Sequence, residues 1–387
     1  MKAYLDNAAT TIPFPQVREI MMQTMEMDYG NPSSMHQLGI DAEKYIKDAK
    51  EIIAKSLKVE EKEIVFTSGG TESNNQALIG AALANKRKGM HLITTRIEHA
   101  SIHNPMLFLE GQGFRVSYLS VDKNGHVNID ELLNTICEET ILVSIMYVNN
   151  EIGAVEDIAS IAKKIKEKKR DIIFHVDAIQ AYGKYPIYPK RMGIDLLSVS
   201  GHKIHGPKGV GFLYIKDKLK INPYIYGGGQ QGGMRSGTEN VPGIAGIGMA
   251  VKLICENQDA KLKKLYELKQ YFVKKIATLE DVSINGIEDI GIEDTAPHVV
   301  SVCAKGVGSE VLLHALEDKG VYVSSGSACS SNHPELSGTL QAIGLEKKMV
   351  ESTIRFSFSI FTTKEELDYA VAAMEELLPM LRRYVRR

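Results

Sequence analysis

Short apolar runs alternate with amphipathic stretches along most of this chain. Glu63-Ile64-Val65-Phe66-Thr67, His91–Thr95, Ile141–Val148, Ile172–Val176, Asp195–Ser200 and Gly209–Ile215 are rich in β-branched residues and stop at polar or glycine positions. Such runs predict buried parallel strands. Between them, helical spacing predicts helices over Asp41–Leu57, from about Gly70 to Asn85, and over residues 157–169. After about Glu256 the texture changes, and a long charged helix over Asp259–Leu279 leads into strands at Val299–Ala304 and Ser352–Ser357. Helices at Ser309–Leu316 and from Thr363 to about Arg382 complete that half. The alternation predicts an α/β protein. Loops are expected at GNPSSMHQLG (30–39), where Asn31 and His36 are better read as loop structure than as a site, and at the glycine-dense YGGGQQGGMRSGTENVPG.

Two strand ends carry the chemistry. The run to Val176 ends in Asp177, and the run to Ser200 opens into Gly201-His202-Lys203 and the turn Gly206-Pro207-Lys208-Gly209. Ligands of parallel sheets sit beyond the carboxyl ends of the strands, so Asp177 and Lys203 are expected to face one crevice. An acid and a lysine there suit pyridoxal phosphate: lysine condenses with its aldehyde, and carboxylate keeps its ring nitrogen protonated. Upstream, Ser68-Gly69-Gly70-Thr71 stands between a strand and a helix. Gly70 and Thr71 suit phosphate donors at a helix start, while Thr71 or Ser68 would serve equally as a helix cap.

Composition narrows the class. Hydrophobic residues at 44% and charged residues at 24% are ordinary globular values, and the net charge of −2 calls for neither nucleic acid nor an acidic membrane. KKIKEKKR and the terminal LRRYVRR read as solvated helix faces. Cysteines occur only at 137, 255, 303 and 329, without metal-ligand spacing, so no metal site is expected. No apolar run approaches about 18 residues. A cytoplasmic protein is expected. Cys137, Cys255 and Cys303 read as small buried hydrophobes, whereas Cys329 lies among small polar residues that predict exposure and mobility.

The ordered motifs HVDAIQ, SGHKIHGPKG, GGGQQGGMRSGTEN and SSGSACSS resemble those of the NifS/IscS-type cysteine desulfurases of the class V aminotransferase group. YLDNAATT near the start and STIRFSFSIFTTKEE near the end extend the likeness over nearly the whole chain. The resemblance implies pyridoxal-phosphate fold type I: a large domain over 13–255 with a mostly parallel seven-stranded sheet flanked by helices, and a small α+β domain from 1–12 and 256–387.

The resemblance also implies roles. Lys203 bonds the coenzyme covalently, Asp177 faces its ring nitrogen, and His99 stacks on the ring and handles protons. Asn150 and Gln180 approach the phenolate oxygen, with Asn150 also a substrate contact. Ser200 and His202 join Gly70 and Thr71 around the phosphate, and Thr238 reaches the phosphate of the other subunit, which implies a homodimer with shared active sites. Arg355 clamps the carboxylate of L-cysteine, and YLDNAATT (4–11) lies along the substrate entrance. Cys329 takes the sulfur as a persulfide, leaving L-alanine; by analogy it is also a possible transient iron–sulfur ligand. The sulfur then passes to an iron–sulfur scaffold or a tRNA-thiolating enzyme. The sequence runs only to LRRYVRR, without the longer tail that docks the scaffold in IscS-like members, so the acceptor stays open. Selenocysteine lyase or another aminotransferase-like activity are the alternatives on the same cofactor, and a non-catalytic sulfur-transfer scaffold is the alternative without it.

Overall fold

A computed structural model of the chain describes residues 1–325 and 336–385. The short strand β1 (Ala3–Tyr4) opens the chain, followed by β2 (Ile64–Thr67), β3 (His91–Thr95), β4 (Arg115–Leu119), β5 (Thr140–Met146), β6 (Ile173–Asp177), β7 (Leu196–Ser200) and β8 (Gly211–Ile215). Seven of these form one sheet in the order β2-β8-β7-β6-β5-β3-β4. The four pairings from β4 to β7 are parallel, and β8 runs against both of its neighbours. Its reversal has a local cause: residues 201–210 are too few for a crossover helix, so the chain can only return antiparallel. β6, β7 and β8 are buried at every position, which is why they read as continuous apolar runs.

Helices cover both faces. The helix Gly70–Asn85 follows β2 directly and packs its Ala77, Leu78 and Ala81 into a core with Ile102, Met106 and Leu142. On the other face Ile46, Ile53, Ile161, Phe174, Val199 and Ile247 share the largest core.

A second sheet, antiparallel, has the order β12-β13-β10-β9, built from β9 (Val282–Asn285), β10 (Val299–Ala304), β12 (Ser324–Ser325) and β13 (Thr353–Ser357). β1 pairs separately with β11 (Val321–Tyr322). Helices Gln258–Ile276 and Lys364–Val385 cover this sheet around Phe272, Phe356 and Met374, and Ala3 and Leu5 from the start of the chain lie in the same core.

Several boundaries differ from the sequence reading. The helix expected from Asp41 begins at Gln37, because the His36 side chain accepts from the Gly39 N–H and caps it. The strand expected to reach Val148 ends at Met146, where the backbone turns so that Tyr147 N–H bonds Asp177 O. That turn brings Asn149 and Asn150 over the strand ends.

Candidate active site

The strand ends β6 and β7 are neighbours, so the residues that follow them emerge side by side. Asp177 closes β6 and is buried; its Oδ1 accepts from Ile179 N–H at 2.9 Å and its Oδ2 from Asn74 Nδ2 at 2.9 Å. Burial pushes its pKa up, opposed by these two donors and by His99 and Lys203. An acid so placed gains from a cationic partner. Beyond β7, a single 3-10 turn over Gly201–Lys203 points the lysine back across the strand ends, where Nζ donates to the carbonyls of Ala8 and Ala9, each at 2.6 Å.

Between them lies a cavity of about 430 Å³, within the usual range for a small-molecule site. Asp177, Gln180, Ser200, His202 and Lys203 line it from the strand-end side, and Gly70 and Thr71 from the first turn of the following helix. His99, Asn150 and Arg355 complete the walls. One expected residue stands outside it. Thr238 is exposed and not among the lining residues. Cys329 lies outside the described residues.

Local sequence explains the geometry. Gly69 has φ +150°, a conformation that favours glycine, and a Cβ on Gly70 would sit 2.2 Å from Ile179 Cδ1, so the helix start lies close against the turn after β6 and a larger residue would have to displace that side chain. The first N–H groups of that helix lack intrahelical partners and carry the positive end of its dipole. His99 caps the helix Ala100–Gly111, its Nδ1 accepting from Ser101 N–H at 3.1 Å and lying 2.9 Å from Ser101 Oγ. Burial lowers its pKa, with Asp177 opposing and Lys203 reinforcing, which favours the neutral ring. His202 is pushed down to about 4 by burial and by the nearby Lys203 and Lys208, and its Nδ1 is 3.2 Å from Thr10 Oγ1.

The opposite wall comes from the chain ends. Arg355 on β13 donates from Nη1 to Asn150 O at 2.9 Å and from Nη2 to Asp6 Oδ1 at 2.8 Å, while its buried Nε has no hydrogen-bond partner among the described residues. Ser324, its cross-strand neighbour, also lines the cavity.

This donor set fits pyridoxal phosphate. Helix-start N–H groups, a Ser200 hydroxyl and the His202 imidazole suit a phosphate; Asp177 suits a protonated ring nitrogen; Lys203 supplies a primary amine and His99 a flat ring. Sequence reasoning missed Asp6, Ala8, Ala9 and Asn74. The two alanines act through backbone carbonyls, which carry no residue signature. Asn74 is one of several buried polar residues of its helix, with Ser73, Gln76 and Asn85, so nothing in the sequence singled it out.

The family model described as aminotransferase class-V matches residues 3–370. A cysteine desulfurase IscS from Dictyoglomus turgidum is 43% identical over 382 residues, spanning 98% of this chain and 95% of that protein. Among solved structures, one described as a NifS-like protein superposes with a TM-score of 0.92 at 36% identity, covering 98% of this chain and all 100% of that one. Another, described as SspA in complex with cysteine, has a TM-score of 0.81 at 34% identity, covering 93% of this chain and 100% of that one.

Proposed function

Because the chain belongs to the class-V aminotransferase family and is a pyridoxal-phosphate-dependent cysteine desulfurase, we propose the following division of labour among its residues. When bound, pyridoxal phosphate supplies an aldehyde that takes up an amine and a ring that draws electrons from the attached carbon. Gly70, Thr71, Ser200 and His202 bind its phosphate, and Asp177 holds a proton at the ring nitrogen, with Asn74 keeping the carboxylate in place. Asn150 and Gln180 serve its phenolate oxygen. Lys203 Nζ is the amine that holds the coenzyme and, once released, takes the substrate's α-proton. His99, neutral in this setting, covers the ring and carries protons to and from the substrate.

Arg355 binds the carboxylate of L-cysteine. Its guanidinium presents parallel N–H donors, which match a carboxylate in a way that an ammonium does not. The Cys329 thiolate then attacks the substrate sulfur. An S–S bond forms, the Cβ–S bond breaks, and its electron pair stays with the three-carbon fragment, which takes up a proton at Cβ and regains at Cα the one held by Lys203 to become L-alanine. The product on the enzyme is a Cys329 persulfide, whose outer sulfur passes to an acceptor thiol.

The observation that carries this reading is the common cavity of Asp177 and Lys203, with His99 and Arg355 on its walls. We assign the coenzyme domain to 13–255 and the second domain to 1–12 with 256–387. The active unit in this reading is a cytoplasmic homodimer in which Thr238 completes the partner's phosphate site, and the acceptor is a protein of iron–sulfur assembly or of tRNA thiolation.

The test supplies purified protein with L-cysteine and a reductant and measures alanine and sulfide. Wild type should release the two in equal amounts, and Cys329→Ala should release neither at an appreciable rate. Full sulfide release by that variant would contradict the persulfide step. Preference for selenocysteine over cysteine in the same assay would move the reading to a selenocysteine lyase.

A further inference from the structure

Gln180 is held from two sides. Its Nε2 donates to Ala8 O at 2.9 Å, and its Oε1 lies 3.1 Å from Nε2 of His298, which sits in the turn leading into β10. Both side chains are buried. The atom types settle which way each faces. A backbone carbonyl only accepts, so the amide end at Ala8 must be the NH2 group; the other end is then the oxygen, so His298 must donate to it from Nε2.

The second imidazole nitrogen completes the argument. Nδ1 of His298 is buried without a hydrogen-bond partner among the described residues. Burial, with the cations of Lys184, Lys269, Arg355 and Lys203 around it, holds the ring in its neutral form. A neutral imidazole has one N–H, and here it is committed to Gln180. The backbone that carries the ring is held in turn, since the His298 carbonyl accepts from Phe358 N–H at 2.9 Å just past β13.

A planar amide with one anchor pivots, whereas one with two anchors has a fixed plane. After the bonds to His298 and Ala8, Gln180 keeps a single donor unused among the described residues, the second Nε2–H, and the residue lines the cavity. We propose that His298 is a positioning residue that locks the Gln180 amide so that this N–H, and not the oxygen, is offered to the coenzyme's phenolate. The inference rests on the coenzyme reading given above. It makes the turn before β10, remote in sequence from every cofactor contact, part of the machinery that sets the coenzyme's proton affinity.

The test is a pH titration of the visible absorption band of the lysine-bound coenzyme in the full-length holoenzyme. A donor at the phenolate draws off charge that otherwise holds the neighbouring proton. Losing it should raise the midpoint by about one unit, the size expected for one hydrogen bond to a charged acceptor. His298→Leu should show that rise. His298→Gln, whose amide N–H reaches the position of Nε2, should titrate like wild type. His298→Asn keeps a polar group but stops at the position of Nδ1, and should shift as His298→Leu does, which preserves the test where the leucine variant folds poorly. Gln180→Leu should give a similar shift, with no further change when combined with the variants of His298. An unchanged midpoint in both His298→Leu and His298→Asn, or an additive shift in the combined variant, overturns the inference while leaving the coenzyme assignment standing. Absence of the band from the wild type would overturn both.

Discussion

The two walls of the cavity are built by opposite means. One comes from adjacent strand ends and the turns after them: Asp177 ends β6 with Gln180 just beyond, and Ser200 ends β7 with His202 and Lys203 just beyond, all within about 27 positions. The other joins residues almost 350 positions apart, with Asp6 bound to Arg355 and the carbonyls of Ala8 and Ala9 receiving Lys203. The first wall owes its properties to burial at the ends of central strands, which raises the Asp177 carboxyl and lowers the imidazoles. The second owes its properties to pairing, since Arg355 is held by a carboxylate and a carbonyl. Chemistry on the coenzyme is therefore assigned to the local wall and grip on the substrate to the composite one.

Separate damage to each wall should separate these effects. The largest loss is expected for Asp177→Asn, which removes the anion facing the ring nitrogen while preserving shape. Turnover should fall at least about a hundredfold with the coenzyme still bindable, as for loss of an electrostatic group at the reacting centre. Arg355→Lys should spare the visible spectrum and raise KM for L-cysteine by about tenfold, because lysine cannot replace a two-pronged contact. Asn74→Ala should weaken coenzyme retention by up to about tenfold, since Asp177 loses one of its donors and Ser101 a second partner. Equilibrium dialysis of the coenzyme measures this last effect.

The smallest expected effect concerns acid stability. His175 lies beneath Asp177 on β6, between Ser144 Oγ at 2.8 Å and Ser198 Oγ at 3.0 Å, and burial pushes it down to about 3 from an ordinary 6.5. Between those values the unfolded chain binds a proton that the folded one refuses. Its contribution to stability is therefore complete above about pH 6.5 and declines as pH falls toward 3. His175→Gln should lower the melting temperature at neutral pH by a few degrees yet flatten its decline between pH 6.5 and 4.5. An unaltered slope would mean that the sheet beneath the first wall does not depend on a neutral imidazole.

The contrast between the walls also explains what could be read in advance. β6, β7 and β8 were legible because strands buried on both faces leave continuous apolar runs, and Asp177 and Lys203 because each stands where such a run stops. Arg355 and Thr238 were reached only through family likeness; neither has a local signature, since a lone arginine in a strand is ordinary. Asp6, Ala8 and Ala9 were not legible as contacts. Their role depends on β1 and β13 bringing both chain ends to one place, and hydrophobic spacing says nothing about that. His298 belongs with them, a turn histidine whose meaning lies in the Gln180 amide beside it. The helix starting at Gln37 shows the same limit on a smaller scale, because an imidazole cap is a weaker sequence signal than Ser, Thr or Asp.

The most direct measurement of the central claim traps the lysine linkage. Borohydride reduction of the coenzyme-loaded protein, followed by proteolysis and mass spectrometry, should place the added pyridoxyl mass on the peptide containing Lys203, and Lys203→Ala should carry none. Label on a different lysine of the wild type, or undiminished label in the variant, would contradict the account.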